Sequence, residues 1–138
     1  MLASEVEHAN CSVYELSPDS VGMFDVVFCG SLLLHLMNPL EALVHIRSVT
    51  REMAVVATQL SEDAEALAPD KPLLKFGNRR PDLAGSRPLL GASCVYWLLN
   101  TATLREMMEY AGFSRTEALE PVALPPMGGR CAVVVGYP

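Results

Sequence analysis

Apolar residues run without a break from Val26 to Cys29, and that short continuous run predicts a strand of a parallel sheet covered on both faces. Ahead of it, residues 1–9 are mixed and helix-compatible, Cys11 to Leu16 suits a short strand, and Ser17-Pro18-Asp19-Ser20 with Gly22 forms a turn cluster. Behind it a helix start is well marked. Asn38 suits the N-cap, Pro39 the first helical position where a missing N–H costs nothing, and Glu41 can reach back as in a capping box. Ala42, Leu43, Ile46 and Val49 then make one apolar stripe, with Arg47 and Arg51 near the carboxyl end, where the helix dipole favours cations. Met53 to Thr58 is a second apolar run. Strand, helix and strand at this spacing predict a right-handed βαβ unit.

Between positions 61 and 95 the pattern loses its period. Pro69, Pro72, Pro81 and Pro88, with Gly77, Gly85 and Gly91, break any long element, so this stretch reads as an irregular insertion or lid. Asn100 or Thr101 next caps a helix whose Leu104, Met107, Met108 and Ala111 share a face. Gly112 ends it as a left-handed cap, letting Phe113 fold back. A strand from about Phe113 to Leu119, a turn-rich connection through Pro121, Pro125, Pro126, Gly128 and Gly129, and a last apolar strand from Cys131 to Gly136 follow. Two final strands with no helix between them predict an antiparallel hairpin on one edge of the sheet.

Composition narrows the class of protein. Apolar residues make up 51% of 138 positions and charged residues 19%, a globular balance with room for one real core. A net charge of −6 excludes the broad basic face that duplex nucleic acid requires, although Lys75, Arg79, Arg80 and Arg87 concentrate positive charge on the irregular stretch. Cys11, Cys29, Cys94 and Cys131 form no CxxC pair and read as reduced thiols of a cytoplasmic protein, not as a disulfide frame or zinc site. No apolar run is long enough to span a bilayer. His8, His35 and His45 have no metal-ligand spacing.

Ligands of open α/β sheets bind just past the carboxyl ends of the strands. Cys29, Gly30 and Ser31 are the exit of the first strand. There Gly30 lets a ligand approach the backbone and Ser31 offers one hydrogen bond, or the three simply pack a turn. Cys29 has no basic neighbour to activate it as a nucleophile. Asp25 lies at the other end of that strand and suits a structural bond to a loop backbone. Glu15 and Asp19 read as solvated turn residues, and Tyr96 and Trp97 either shape a pocket or pack the core.

Four pieces of the chain, in order, resemble the later part of a class I S-adenosylmethionine-dependent methyltransferase. Phe24-Asp25-Val26-Val27-Phe28 is similar to the family's fourth-strand motif, and His35 followed by Asn38-Pro39-Leu40 resembles the "H, then D/N-P-L" segment of one subgroup. Asn100, Leu104 and Ala111-Gly112-Phe113 resemble that subgroup's "N…L…AGF" helix, and Cys131 to Gly136 the strand that closes such domains. The subgroup includes the tRNA wobble-uridine carboxymethyltransferases. The resemblance covers roughly residues 10–137 and implies a Rossmann-like α/β sheet, mostly parallel, with a C-terminal antiparallel hairpin.

It also implies S-adenosylmethionine as cofactor near Cys29, Gly30 and Ser31. His35 becomes the catalytic candidate, as substrate hydrogen-bond partner or general base, against a plain helix-entry histidine. Arg79, Arg80 and Tyr96 become contacts to an acceptor, either a small molecule or tRNA.

Two departures accompany it. No strand, glycine-rich loop and helix with a following acidic strand end precedes Asp25, so the chain is expected to begin inside the helix after the family's second strand, its first strands missing. Leu34 stands where the wobble-uridine enzyme has a tyrosine, so the carboxylated cofactor is not implied. A reading of another class follows: a non-catalytic interaction module whose open sheet edge, at Cys11–Leu16 or at the Val26 strand, is covered in a homodimer or in a heteromer with a cofactor-binding subunit. A nicotinamide-dependent dehydrogenase ranks third, since no dinucleotide fingerprint is present.

Overall fold

The computed structural model describes residues 5–76, 95–124 and 129–138. Six strands and four α-helices follow in the order α1 (Pro18–Val21), β1 (Phe24–Gly30), α2 (Pro39–Ser48), β2 (Thr50–Gln59), α3 (Glu62–Leu67), β3 (Leu74–Phe76), β4 (Trp97–Leu99), α4 (Thr101–Tyr110), β5 (Arg115–Ala123) and β6 (Arg130–Tyr137). The main sheet has four strands in the order β1-β2-β6-β5. β1 and β2 run parallel across α2, as the βαβ pattern predicts. β6 is antiparallel to both β2 and β5, so β1, β2 and β5 share one direction and β6 alone opposes them. β3 and β4 form a separate antiparallel pair.

Local chemistry explains the boundaries. Asn38 caps α2 by accepting from the Glu41 N–H at 3.2 Å, while its own amide donates to the Glu41 carboxylate at 2.8 Å. α4 ends as expected: Gly112 takes φ +100, the Phe113 N–H reaches back to the Met108 carbonyl at 3.2 Å, and the Phe113 ring is buried on the helix. Arg47 adds a hydrogen bond to the Gly112 carbonyl at 3.0 Å and lies over the Phe113 ring. α2 and α4 cover one face of the sheet around Leu33, Leu43, Val56, Leu104, Met108 and Val134. Among the described residues no helix is long and apolar enough to cross a membrane.

Several expectations are corrected. Cys11 to Leu16 is not a strand: Val13–Glu15 form a 3-10 turn, because Ser12 and Glu15 satisfy each other's backbone N–H as a capping box and leave no extended edge. His45 donates from Nδ1 to the Leu16 carbonyl at 2.8 Å and fixes that turn on α2. Of the two expected open edges, β1 is therefore the one that stands; β5 forms the other edge of the sheet. The two faces of β1 are not both covered, either. Cys29 is buried toward α2, but Phe24, Val26 and Phe28, alternating on the opposite face, stay 46%, 52% and 71% exposed. The stretch from residue 61 is not wholly irregular, since α3 and β3 lie within it. Pro121 does not end a strand but sits inside β5, at a register irregularity between Leu119 and Val122. An edge strand tolerates the missing N–H there.

Candidate functional site

The site lies where β1 and β2 end. β1 leaves the sheet at Gly30, and the next residue, Ser31, is turned sharply. Its φ is +52, a left-handed conformation that a side chain rarely adopts, and it is held there by its N–H on the Ala57 carbonyl at 2.8 Å. A 3-10 turn over Leu33–His35 follows. Leu33 and Leu34 are buried and act as its anchors, while His35 stands exposed at its end.

β4 grips this turn from outside. The Tyr96 N–H donates to the Leu34 carbonyl at 2.7 Å, and the Trp97 indole N–H donates to the Met37 carbonyl at 3.2 Å. His35 is thus bracketed in sequence by two hydrogen bonds from consecutive residues, Tyr96 just ahead of β4 and Trp97 its first residue. Distant positions named from the sequence, His35 and Tyr96, are brought together in this way. Phe76, opposite Trp97 in the β3–β4 register, meets the indole edge to face, with ring centroids 5.4 Å apart and planes at 77°.

Other candidates fall differently. Gly30 is exposed, and a Cβ built there would lie 2.6 Å from the ring of Phe28, itself 71% exposed, so a side chain at position 30 would have to displace that ring. Cys29 is buried and its thiol is pushed up to about 11 by desolvation, which makes it inert at neutral pH. Cys131 is also raised by burial, with the Ser31 side chain acting the other way. At pH 8 the Cys29 thiolate fraction is then about one in a thousand. Iodoacetamide on the native chain should therefore modify exposed Cys11 and spare Cys29 until denaturant is added. Peptide mapping by mass spectrometry checks this, and rapid native labelling of Cys29 would contradict it.

Among the described residues the partner of Asp25 is a side chain rather than a loop backbone. Its carboxylate pairs with Arg51 at the start of β2, at the edge of the sheet opposite the site. Glu15 serves the Ser12 cap, Asp19 is an exposed residue of α1, and Met108 is core, with Met107 packed against it. Arg79, Arg80 and Arg87 lie outside the described residues. Lys75 is held by Asp63 at 3.0 Å.

Two features escaped the sequence reading. Phe76 was hidden among helix breakers, although Leu74-Lys75-Phe76 and Trp97-Leu98-Leu99 are short apolar runs that can pair. Asn100, recognised only as a cap, proves to be a buried hub. Its amide donates to the Ala68 and Lys71 carbonyls at 2.9 and 2.8 Å, and its Oδ1 accepts from the Leu73 N–H at 3.1 Å and from the Thr103 N–H at 3.0 Å.

No family model and no curated protein matches this chain. Solved structures do. The N-terminal domain of EvdMO1, in the presence of S-adenosylhomocysteine and D-fucose, aligns with a TM-score of 0.56 at 26% identity, over 92% of this chain and 52% of that one. The 1,6-didemethyltoxoflavin-N1-methyltransferase of Burkholderia thailandensis, with 1,6-didemethyltoxoflavin and S-adenosylhomocysteine bound, aligns with a TM-score of 0.59 at 17% identity, over 94% and 49%. Magnesium protoporphyrin IX methyltransferase from Synechocystis PCC 6803, with bound S-adenosylhomocysteine, aligns with a TM-score of 0.55 at 12% identity, over 92% and 48%. This chain spans about half the length of each of them. Parallel β1 and β2, the His35 turn at their carboxyl ends and the reversed strand β6 together make this the fold of class I S-adenosylmethionine-dependent methyltransferases.

Proposed function

We propose that this chain supplies the acceptor side of an S-adenosylmethionine-dependent methyltransferase, and that the acceptor is a small molecule. The observation that carries the reading is the exposed His35 on a turn held rigidly past the carboxyl ends of two parallel strands, in a fold shared with solved methyltransferases. S-adenosylmethionine brings its methyl group already activated on a sulfonium, so the protein's work is to orient the acceptor and exclude water. The chain's own contribution toward the cofactor is modest. The β1 exit at Gly30 and Ser31 is one wall, with the Phe28 ring beside Gly30. His35 orients the acceptor, or takes its proton where the acceptor must lose one.

A small molecule is favoured over tRNA. The net charge is −6 and Lys75 is engaged by Asp63. Two of the neighbours carry the names of small-molecule acceptors, 1,6-didemethyltoxoflavin and magnesium protoporphyrin IX. The wobble-uridine subgroup is the weaker alternative on these grounds. The free thiols of Cys11, Cys29 and Cys131 suit a reducing, cytoplasmic setting.

A second reading rests on β1. A seven-residue edge strand with Phe24, Val26 and Phe28 exposed is a surface that another chain can cover by strand pairing, giving a homodimer or a heteromer. Isothermal titration with S-adenosylmethionine and S-adenosylhomocysteine separates the two readings. Saturable binding is expected from the first. A folded chain that binds neither, and that light scattering shows to be a dimer, overturns it in favour of the second. In an acceptor assay, His35→Ala is expected to lower turnover about tenfold, a larger effect than any fall in the urea midpoint, since His35 is exposed. An equal fall in stability would make His35 structural.

A further inference from the structure

The hairpin of β3 and β4 does more than hold the His35 turn: it carries aromatic surface out to it. Phe76 is 61% exposed, and Met37, whose carbonyl receives the Trp97 indole N–H, is 74% exposed. Scattered exposed apolar residues are ordinary. Here they are ordered against one another. Phe76 and Trp97 are cross-strand partners and so stand on one face of the hairpin, locked edge to face. The indole is further fixed by its hydrogen bond to residue 37. Because that N–H is already used, the two rings offer faces and edges and no polar donor, and exposed Met37 adjoins them through its backbone carbonyl.

Such a wall selects by shape and polarisability. Flat rings gain from offset or edge-on contact with Phe and Trp and from the soft sulfur of methionine. A sugar or a phosphate gains little, since it needs several donors or a cation. Among the described residues of β3 and β4 the cation is Lys75, which lies one residue from Phe76 and therefore on the opposite face, where Asp63 holds it at 3.0 Å.

We infer that Phe76, Trp97 and Met37 form the binding wall for the acceptor, and that the acceptor is a small molecule with a flat aromatic or heteroaromatic ring system, its reacting heteroatom turned toward His35. Calling the ligand an acceptor rests on the methyl-transfer reading; the ring-binding wall does not.

Trp97 is the only tryptophan of the chain, so its fluorescence reports on this wall directly. The test is titration of the chain with lumichrome, a flat heteroaromatic compound, beside D-fucose and bulk tRNA, with correction for absorbed light. Lumichrome is expected to quench Trp97 saturably, and the other two are not. Phe76→Ala should weaken lumichrome binding at least fivefold, with an unchanged far-ultraviolet dichroism spectrum and melting temperature, since the side chain is largely exposed. Met37→Ala serves as a second variant. It leaves the backbone carbonyl that Trp97 uses and removes only the thioether, so a smaller loss in the same direction is expected. Absence of saturable quenching, preference for D-fucose or tRNA, or quenching that neither variant alters overturns the proposal. Parallel titration with S-adenosylhomocysteine keeps the two proposals apart. Lumichrome bound without S-adenosylhomocysteine removes the methyl-transfer reading and leaves the wall, and the reverse removes the wall alone.

Discussion

Asn100→Ala is expected to destabilise the chain by about 3–5 kcal/mol, a large part of the stability of an ordinary domain, read as a fall in the urea midpoint. Asn100 is completely buried between the start of α4 and the loop at residues 68–73. Its amide serves the Ala68 and Lys71 carbonyls, and its Oδ1 serves the Leu73 and Thr103 N–H groups and the Thr103 hydroxyl, the last at 2.7 Å. Truncation removes both halves of this arrangement and strands donors and acceptors away from water, at about 1–3 kcal/mol for each group left truly unpaired. Loss of the cap alone accounts for only about 1 kcal/mol.

Asn100→Asp tells the two contributions apart. Aspartate is as good an N-cap as asparagine, but it sets a carboxylate against two carbonyl oxygens. If capping were the whole role of Asn100, the Asp variant would keep wild-type stability, and the hub described here would be refuted. A substantial loss in both variants is expected. Because the same loop leads into β3, both variants should also shift the emission of Trp97, the cross-strand partner of Phe76.

Gly136→Val should cost about 2–3 kcal/mol by overpacking. Gly136 is buried in β6, paired with Ala54 of β2, and α4 lies directly on it. A Cβ there would come within 2.6 Å of Met108 Cε and 2.8 Å of the Phe113 ring. The methionine can swing aside. The ring cannot, because Phe113 is pinned by the left-handed turn at Gly112 and covered by Arg47. Gly136→Ala should therefore be milder than valine but still destabilising, and pairing it with Met108→Ala should recover little. Full rescue by Met108→Ala would show that the methionine, not the ring, sets the limit. Thermal unfolding of the single and double variants reads this as a coupling energy.

Much of this architecture was legible in the residues, and the reason differs from element to element. α2 and α4 announce themselves because capping is local: Asn38-Pro39 and Asn100 satisfy N–H groups three residues away, and Gly112 needs no distant partner to take a positive φ. The βαβ unit was legible because strand and helix lengths leave one way to connect them. The Ser12–Glu15 turn was equally local, yet Cys11 to Leu16 reads as a short strand and the capping box within it went unused. β3 and β4 were not legible at all. Each is three residues long, and neither gains anything until the other, far away in sequence, supplies its hydrogen-bond partners.

The candidate site divides along the same line. His35 could be picked out because its turn follows a strand and precedes a capped helix, all within one stretch of chain. What surrounds His35 could not, because its neighbours come from elsewhere: Tyr96 and Trp97 from the start of β4, about sixty positions later, and Phe76 through Trp97.

Residue order by itself determined the helices α2 and α4, the strands β1, β2 and β6, and which turn carries the histidine, since those choices are made largely by interactions within a few positions. Only the tertiary structure decided that β1 stands at an edge with Phe24, Val26 and Phe28 outward, that the Phe28 ring leaves no room for a side chain at Gly30, and that an aromatic hairpin closes on the His35 turn. Those outcomes depend on which distant surfaces meet, and burial and long-range hydrogen bonds settle that after local structure has formed.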